Sequence, residues 1–206
     1  ASRRADAEGA KRARREAAER LGVDGDAPTL LVTGGSLGAL HVNESMTGAA
    51  DALPEGAQVV HLTGRGKDAP VREAVEAAGL ADRWHVIDYL TTMEDALAVA
   101  DLVVCRSGAG TVAEMEALGL PCIYVPLPIG NGEQRLNAAD HVAAGGAQLV
   151  DDKDFTADFV RRNVFPLLGS TRLADMAAAS QSLGRAGAAR ALADLALEQV
   201  KEAGHE

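Results

Sequence analysis

The segment Cys105-Arg106-Ser107-Gly108-Ala109-Gly110-Thr111-Val112-Ala113-Glu114 has the residue types and order of an anion site. An apolar run, Leu102 to Cys105, enters it, and a helical pattern, Thr111 to Leu118, leaves it. A strand that feeds a helix through a short Ser/Gly turn gathers unpaired backbone N–H groups at the positive end of the helix dipole. That arrangement suits phosphate. Thr111 and Glu114 also have the spacing of a capping box. The Glu114 carboxylate therefore either closes the helix start or faces the same cleft and accepts hydrogen bonds from a sugar.

Two further stretches carry the same kind of chemistry. Gly34-Gly35-Ser36-Leu37-Gly38 follows an apolar run and precedes a helical one. It lacks the G-x-G-x-x-G spacing of a dinucleotide fingerprint, and no Gly-Lys-Ser/Thr follows as in a P-loop. On its own it reads as a tight strand-to-helix turn with Ser36 as N-cap. Two such turns, one beside Arg106, suit a diphosphate better than either does alone. The third stretch, Asn131-Gly132-Glu133-Gln134-Arg135-Leu136-Asn137, opens a helix dense in hydrogen-bonding side chains. Gln134 and Asn137 are three apart and share a face, and amides supply both donor and acceptor to neutral sugar hydroxyls. The plainer alternative is a polar helix start capped by Asn131.

Other chemistries find little support. There is no H-E-x-x-H or C-x-x-C. Asp152-Lys153-Asp154 has the outline of a metal-binding D-x-D, but it follows the weakest strand and reads as a solvated turn. The five histidines are scattered. His61 and His85 fall in strands and read as packed residues, and no catalytic base can be named.

The elements that must hold these turns follow a pattern of alternating strand and helix. Strands are expected at 30–33, 59–62, 84–87, 102–105, 121–125 and 147–150. Helices are expected near 39–53, 71–78, 93–100, 111–118 and 133–144. From Thr156 to the end the pattern is helical, broken near Gly169 and Gly184. Residues 1–22 read as a helix that is polar all round, which builds no core. The expectation is α/β: a Rossmann-like parallel sheet of about six strands with helices on both faces. Ligands of such sheets lie beyond the carboxyl ends of the strands. The turns at 34–38, 106–110 and 126–132 reach that rim, together with Tyr89-Leu90-Thr91-Thr92.

Composition narrows the function. The 206 residues are 47% hydrophobic and 24% charged, as in a globular domain. A formal net charge of −10 argues against a general nucleic-acid binder and against electrostatic docking on anionic membrane. No apolar run approaches the ~20 residues of a membrane span. The start is Arg-, Ala- and Glu-rich, unlike a secretory signal. Two isolated cysteines, Cys105 and Cys122, fit small core residues in a reducing compartment.

The three motifs together carry a resemblance. Thr33 to Ala39, Cys105 to Glu114 and Val125 to Ala138 are similar, in order and separation, to the C-terminal half of the MurG family, of actinobacterial type. These are the N-acetylglucosaminyltransferases that convert lipid I to lipid II in bacterial peptidoglycan synthesis. The likeness runs in register from about Pro28 to Val150. It implies a GT-B C-terminal domain that holds UDP-GlcNAc, in an inverting enzyme without an obligatory metal or other cofactor. It also implies site roles. Ser36, Leu37 and Gly38 would meet the diphosphate or sugar, and the Leu90 backbone the uracil edge. Arg106 would flank the nucleotide, and Ser107 and Gly108 would belong to the UDP-GlcNAc-binding turn. Ala109, Gly110 and Thr111 would offer amides to the α-phosphate, Glu114 would bind the ribose hydroxyls, and Glu133, Gln134 and Asn137 would serve the GlcNAc. Leu37 and Glu133 depart from the family, where Gln is frequent at both places.

The same resemblance implies an acceptor domain before residue 1, holding the catalytic base and a membrane-facing apolar patch. No catalytic residue is then expected in this chain. Residues 1–22 would be an interdomain helix, 23–169 the UDP-sugar domain, and 170–206 helices that pack back on the other half. The partners would be UDP-GlcNAc and undecaprenyl-linked lipid I, with no nucleic acid. The enzyme would be cytoplasmic and peripheral on the plasma membrane. The alternatives are a relative that glycosylates a natural product, and a non-catalytic nucleotide-sugar binding module.

Overall fold

The computed structural model describes residues 7–35, 39–128 and 131–183. In chain order the elements begin with α1 (Ala7–Leu21), β1 (Thr29–Thr33), α2 (Leu40–Thr47), β2 (Gln58–Leu62) and α3 (Asp68–Ala77). Next come β3 (Trp84–Ile87), α4 (Met93–Val99), β4 (Leu102–Cys105), α5 (Ala109–Leu118) and β5 (Cys122–Tyr124). Then follow α6 (Glu133–Asn137), α7 (Ala139–Ala143), β6 (Ala147–Leu149), α8 (Ala157–Phe159) and α9 (Thr171–Leu183). The six strands form one sheet in the order β3-β2-β1-β4-β5-β6, and every pairing is parallel.

Central strands of a parallel sheet are covered on both faces and read as continuous apolar runs. β1, β2 and β4 are buried at every residue. Alternate side chains enter opposite layers. Leu30, Val32, Val59 and Trp84 join Phe155 and Phe165 on one face, whereas Leu31, Val60, Val103 and Tyr124 join Leu97 and Met115 on the other. The first three strands run outward from β1 in one direction and the last three from β4 in the other. The strand order therefore reverses between β1 and β4, the place where ligands of such sheets lie.

α1 corrects the expectation of an all-polar helix. Ala13, Ala17 and Ala18 are buried, with Leu21 half-buried, on a stripe that packs against α4. Alanine is small enough to bring two helices close without the bulk that marks an apolar face. Arg14 is hydrogen-bonded to Asp101 at 3.0 Å through two nitrogens and also donates to the Gly25 and Ala27 carbonyls. Arg20 reaches the buried Asp95 at 2.6 Å.

Two helices are shorter than expected. The 39–53 helix ends at Thr47 and resumes as a single 3₁₀ turn, Ala50–Ala52. The 133–144 helix is divided at Ala138, so that Ala138 and His141 turn inward while α6 buries no residue. α9 lies on this domain with Leu173, Met176 and Ser180 buried. The rest of the expected 173–203 helical stretch lies outside the described residues.

Buried histidines have partners that the sequence does not name. His61 accepts at Nδ1 from Trp84 Nε1 (3.2 Å) and so donates from Nε2 to Asn43 Oδ1 (3.0 Å). His141 donates from Nε2 to Ser180 Oγ (2.7 Å), because the Ser180 hydroxyl is spent on the Gly146 carbonyl (3.1 Å). Its Nδ1 takes the Tyr124 hydroxyl at 2.9 Å. Burial holds both rings neutral, His61 down to about 3 and His141 down to about 4. A Cβ at Gly146 would lie 2.4 Å from Ser180 Oγ and 2.6 Å from the His141 ring. Gly146→Ala should therefore cost about 1–3 kcal/mol by overpacking, read as a lower midpoint in chemical denaturation.

Candidate functional site

The start of α5 follows β4 at the point where the strand order reverses. Its N-cap is Gly108, in extended conformation, and no side chain caps it. Ala109, Gly110 and Thr111 are then the first three helical residues, whose N–H groups have no partner within the helix. Outside its chain neighbours and its own helix, a Cβ added at Gly108 or Gly110 would meet no atom of the described residues within 4 Å. The capping box falls away, because Thr111 sits inside the first turn and not at the cap. Glu114 is exposed in the second turn.

Ser107, Gln134 and Asn137 meet. Gln134 Oε1 accepts from the N–H of Ser107 (3.3 Å) and of Leu127 (3.0 Å), and Asn137 Nδ2 donates to the Ser107 carbonyl (3.1 Å). The shared face expected from their spacing is real, but it is turned partly onto the protein. The acceptor half of Gln134 is spent on two backbone amides, and its Nε2 donors are what it can offer a sugar. The Ser107 N–H is likewise engaged and not open to phosphate. Its Oγ is buried and has no hydrogen-bond partner among the described residues. The N-cap of α6 is Gly132, at φ +76°, and not Asn131. Only a residue without Cβ takes that backbone cheaply.

Arg106 is bound to the protein through one nitrogen. Its Nη1 donates to the carbonyls of Val125 (3.0 Å) and Pro126 (3.1 Å) and to Asp152 Oδ1 (2.5 Å). Both side chains of the ion pair are largely buried, at 15% and 16% exposure. The guanidinium braces the loop after β5, and its charge is paired with Asp152. Asp152, expected in a solvated turn, is its counter-ion. Beside it Asp151 pairs with Arg135. Local pattern assigns neither acid a partner, since the two arginines lie 46 and 16 residues away. No group of three or more His, Cys, Asp or Glu placed to hold a metal ion occurs among the described residues.

The loop after β5, the start of α6 and residues 151–153 border a concavity of about 520 Å³, and the start of α5 is not among its walls. Pro126, Leu127, Glu133, Gln134, Asp152 and Lys153 are among its walls. Glu133 is exposed at the first position of α6. Leu90 is half-buried in the loop after β3, on the far side of β1 and β2 from the α5 start. Ser36, Leu37 and Gly38 lie outside the described residues, and the cap of α2 is Ala39 rather than Ser36. Among the described residues no helix is long and apolar enough to cross a membrane.

Residues 29–192 match the family model of the glycosyltransferase family 28 C-terminal domain. Among similar sequences, the UDP-N-acetylglucosamine–N-acetylmuramyl-(pentapeptide) pyrophosphoryl-undecaprenol N-acetylglucosamine transferase of Paenarthrobacter aurescens is 48% identical over 182 residues. The match covers 87% of this chain and 48% of that protein. The transferase of the same name from Mycolicibacterium smegmatis is 47% identical over 192 residues, covering 92% and 49%. Among solved structures, Acinetobacter baumannii MurG superposes with a TM-score of 0.74 at 26% identity, covering 88% of this chain and 52% of that one. The chain spans about half the length of the curated relatives it matches.

Proposed function

The chain belongs to the glycosyltransferase family 28 C-terminal domain family, and from that premise we propose that it is the UDP-GlcNAc-binding half of an enzyme that transfers GlcNAc to lipid I to form lipid II. The observation that carries this reading is the uncapped start of α5, open at the centre of a parallel sheet, with the Gln134 side chain tied across the adjoining loops. Ala109, Gly110 and Thr111 supply amides to the diphosphate, and Glu114 takes the ribose hydroxyls. The Nε2 group of Gln134 donates to the GlcNAc, with Glu133 at the edge and Asn137 fixing the Ser107 carbonyl. By the motif resemblance alone, Ser36, Leu37 and Gly38 are assigned to the diphosphate or sugar and the Leu90 backbone to the uracil edge.

In this reading the acceptor hydroxyl attacks the anomeric carbon from the side opposite UDP, and a base in the other half of the enzyme takes its proton. UDP leaves with growing negative charge. The α5 dipole and amides are placed to stabilise that charge without reorganising. Arg106 adds no free charge to this step. The proposed division is residues 1–22 as the interdomain segment, 23–169 as the donor unit and 170–206 as the segment assigned to the acceptor half, of which α9, as far as Leu183, packs on the donor unit. The full-length enzyme works at the cytoplasmic face of the plasma membrane, to which the acceptor half binds.

Calorimetric titration with UDP, UDP-GlcNAc, UDP-glucose and NAD tests the reading. UDP-GlcNAc should bind, and NAD should not. Tight NAD binding with no response to UDP would overturn it. Glu114→Ala should weaken UDP binding about ten- to hundredfold, the worth of a charge-assisted hydrogen-bond pair, ~1.5–3 kcal/mol. Its melting temperature should stay unchanged, since the residue is exposed and closes no helix.

A further inference from the structure

The geometry points to Asp152 as a positioning residue for the donor site, acting through Arg106, with Asp151 as a weaker second jaw of the same clasp. The inference rests on the donor-site reading above. The stretch of residues 126–128 and 131–137 has to hold Gln134 still, yet among these residues only Pro126 is buried. It carries Pro126 and Pro128, which cannot join a strand ladder, and α6 buries no residue. Leu127 and Leu136 stand exposed.

What fixes the segment is a pair of acids on a rigid step. Val150 N–H bonds to the Tyr124 carbonyl, and Phe155 N–H bonds to the Asp151 carbonyl, with the Phe155 ring fully buried. Asp151 and Asp152 are held between these two anchors. Asp152 grips Arg106, and the same Arg106 nitrogen grips the Val125 and Pro126 carbonyls where the segment begins. Asp151 grips Arg135 in the middle of α6. Gln134 lies between the two grips, bonded to Leu127 N–H and Ser107 N–H.

Burial ranks the two jaws. The Arg106–Asp152 side chains are 15% and 16% exposed, whereas Arg135 and Asp151 are 56% and 43% exposed. Water and salt screen the outer pair and leave the inner one strong. Arg106 meets both carbonyls and the carboxylate through Nη1, and a lysine chain, one atom shorter, does not carry its nitrogen to that point.

The test measures two things on the whole chain: amide hydrogen exchange by NMR, and calorimetric affinity for UDP and for UDP-GlcNAc. Asp152→Asn should speed exchange at Leu127 and Ser107 by about tenfold or more while Val32 and Val104 stay within about twofold. It should weaken UDP-GlcNAc about fivefold or more and UDP less than about twofold, because the clasp serves the sugar contact. Arg106→Lys should repeat the pattern, Asp151→Asn should give a smaller version, and Asp152→Glu should restore part of the sugar-dependent affinity. Unchanged exchange at Leu127, equal losses for the two ligands, or a larger effect at Asp151 would each overturn the positioning role alone. A wild-type chain that binds neither ligand would overturn the donor-site reading and the role together.

Discussion

Lowering the pH from 7 to 4.5 should remove about 5 kcal/mol of folding stability through two buried histidines. His61 and His141 are both fully inaccessible, and burial lowers their proton affinity to about 3 and about 4. In the unfolded chain each titrates near ~6.5. The sign follows from which state takes up the proton. Above pH ~6.5 both states hold neutral rings and the stability is fully present. Between ~6.5 and the lowered folded values only the unfolded chain is protonated, so acid favours unfolding. By pH 4.5 each ring contributes a loss of roughly 2.5 kcal/mol. Against a typical 5–15 kcal/mol of total stability, that is a large share. Their hydrogen bonds give the same direction. Each ring needs one nitrogen as acceptor, His61 Nδ1 for the Trp84 indole and His141 Nδ1 for the Tyr124 hydroxyl, and a doubly protonated ring loses that acceptor. Urea denaturation at pH 7, 5.5 and 4.5 checks this. A free energy flat across that range would show that the rings are not held neutral.

The second large effect concerns Gln134. Gln134→Glu keeps an oxygen for the Ser107 and Leu127 amides, so the fold should stay within ~1 kcal/mol of wild type. The same change replaces the Nε2 donor by an anionic oxygen. A sugar hydroxyl then meets an acceptor where it met a donor, and the diphosphate gains a negative neighbour. UDP-GlcNAc affinity should fall about ten- to hundredfold, ~1.5–3 kcal/mol, while UDP, which lacks the GlcNAc, should lose at most about threefold. Gln134→Ala should differ in kind. It frees both loop amides and should weaken both ligands together. If Gln134→Glu bound UDP-GlcNAc normally, the side chain would be a strut between loops and not a sugar ligand.

These expectations concern residues whose types are legible in the sequence and whose orientation is not. The three-residue spacing marks Gln134 and Asn137 as sharing a face, and they do. It does not show that the face looks toward Ser107 and Leu127, because that depends on where the loop after β5 lies beside the loop after β4. Local spacing also marks Thr111 and Glu114 as a capping box. The helix instead starts at Ala109, two residues earlier, because Gly108 already takes the extended cap conformation. The alanine stripe of α1 escapes sequence reading because alanine carries little hydrophobic signal and its partner α4 lies some 80 residues on.

The parallel α/β architecture, the number of strands and the Gly-rich rim were determined by the sequence alone. Each rests on short-range regularities: apolar runs of strand length, helical periodicity between them, and glycine wherever backbone must turn. Tertiary structure decided which charges are free. Strand order sets β4 beside β5 and β5 beside β6, and this brings Arg106 to Asp152 across 46 residues, spending a cation that the motif alone had offered to a phosphate. Local chemistry fixes what a side chain can do. Only the packed neighbours, by occupying its donors and acceptors, fix what remains for a ligand.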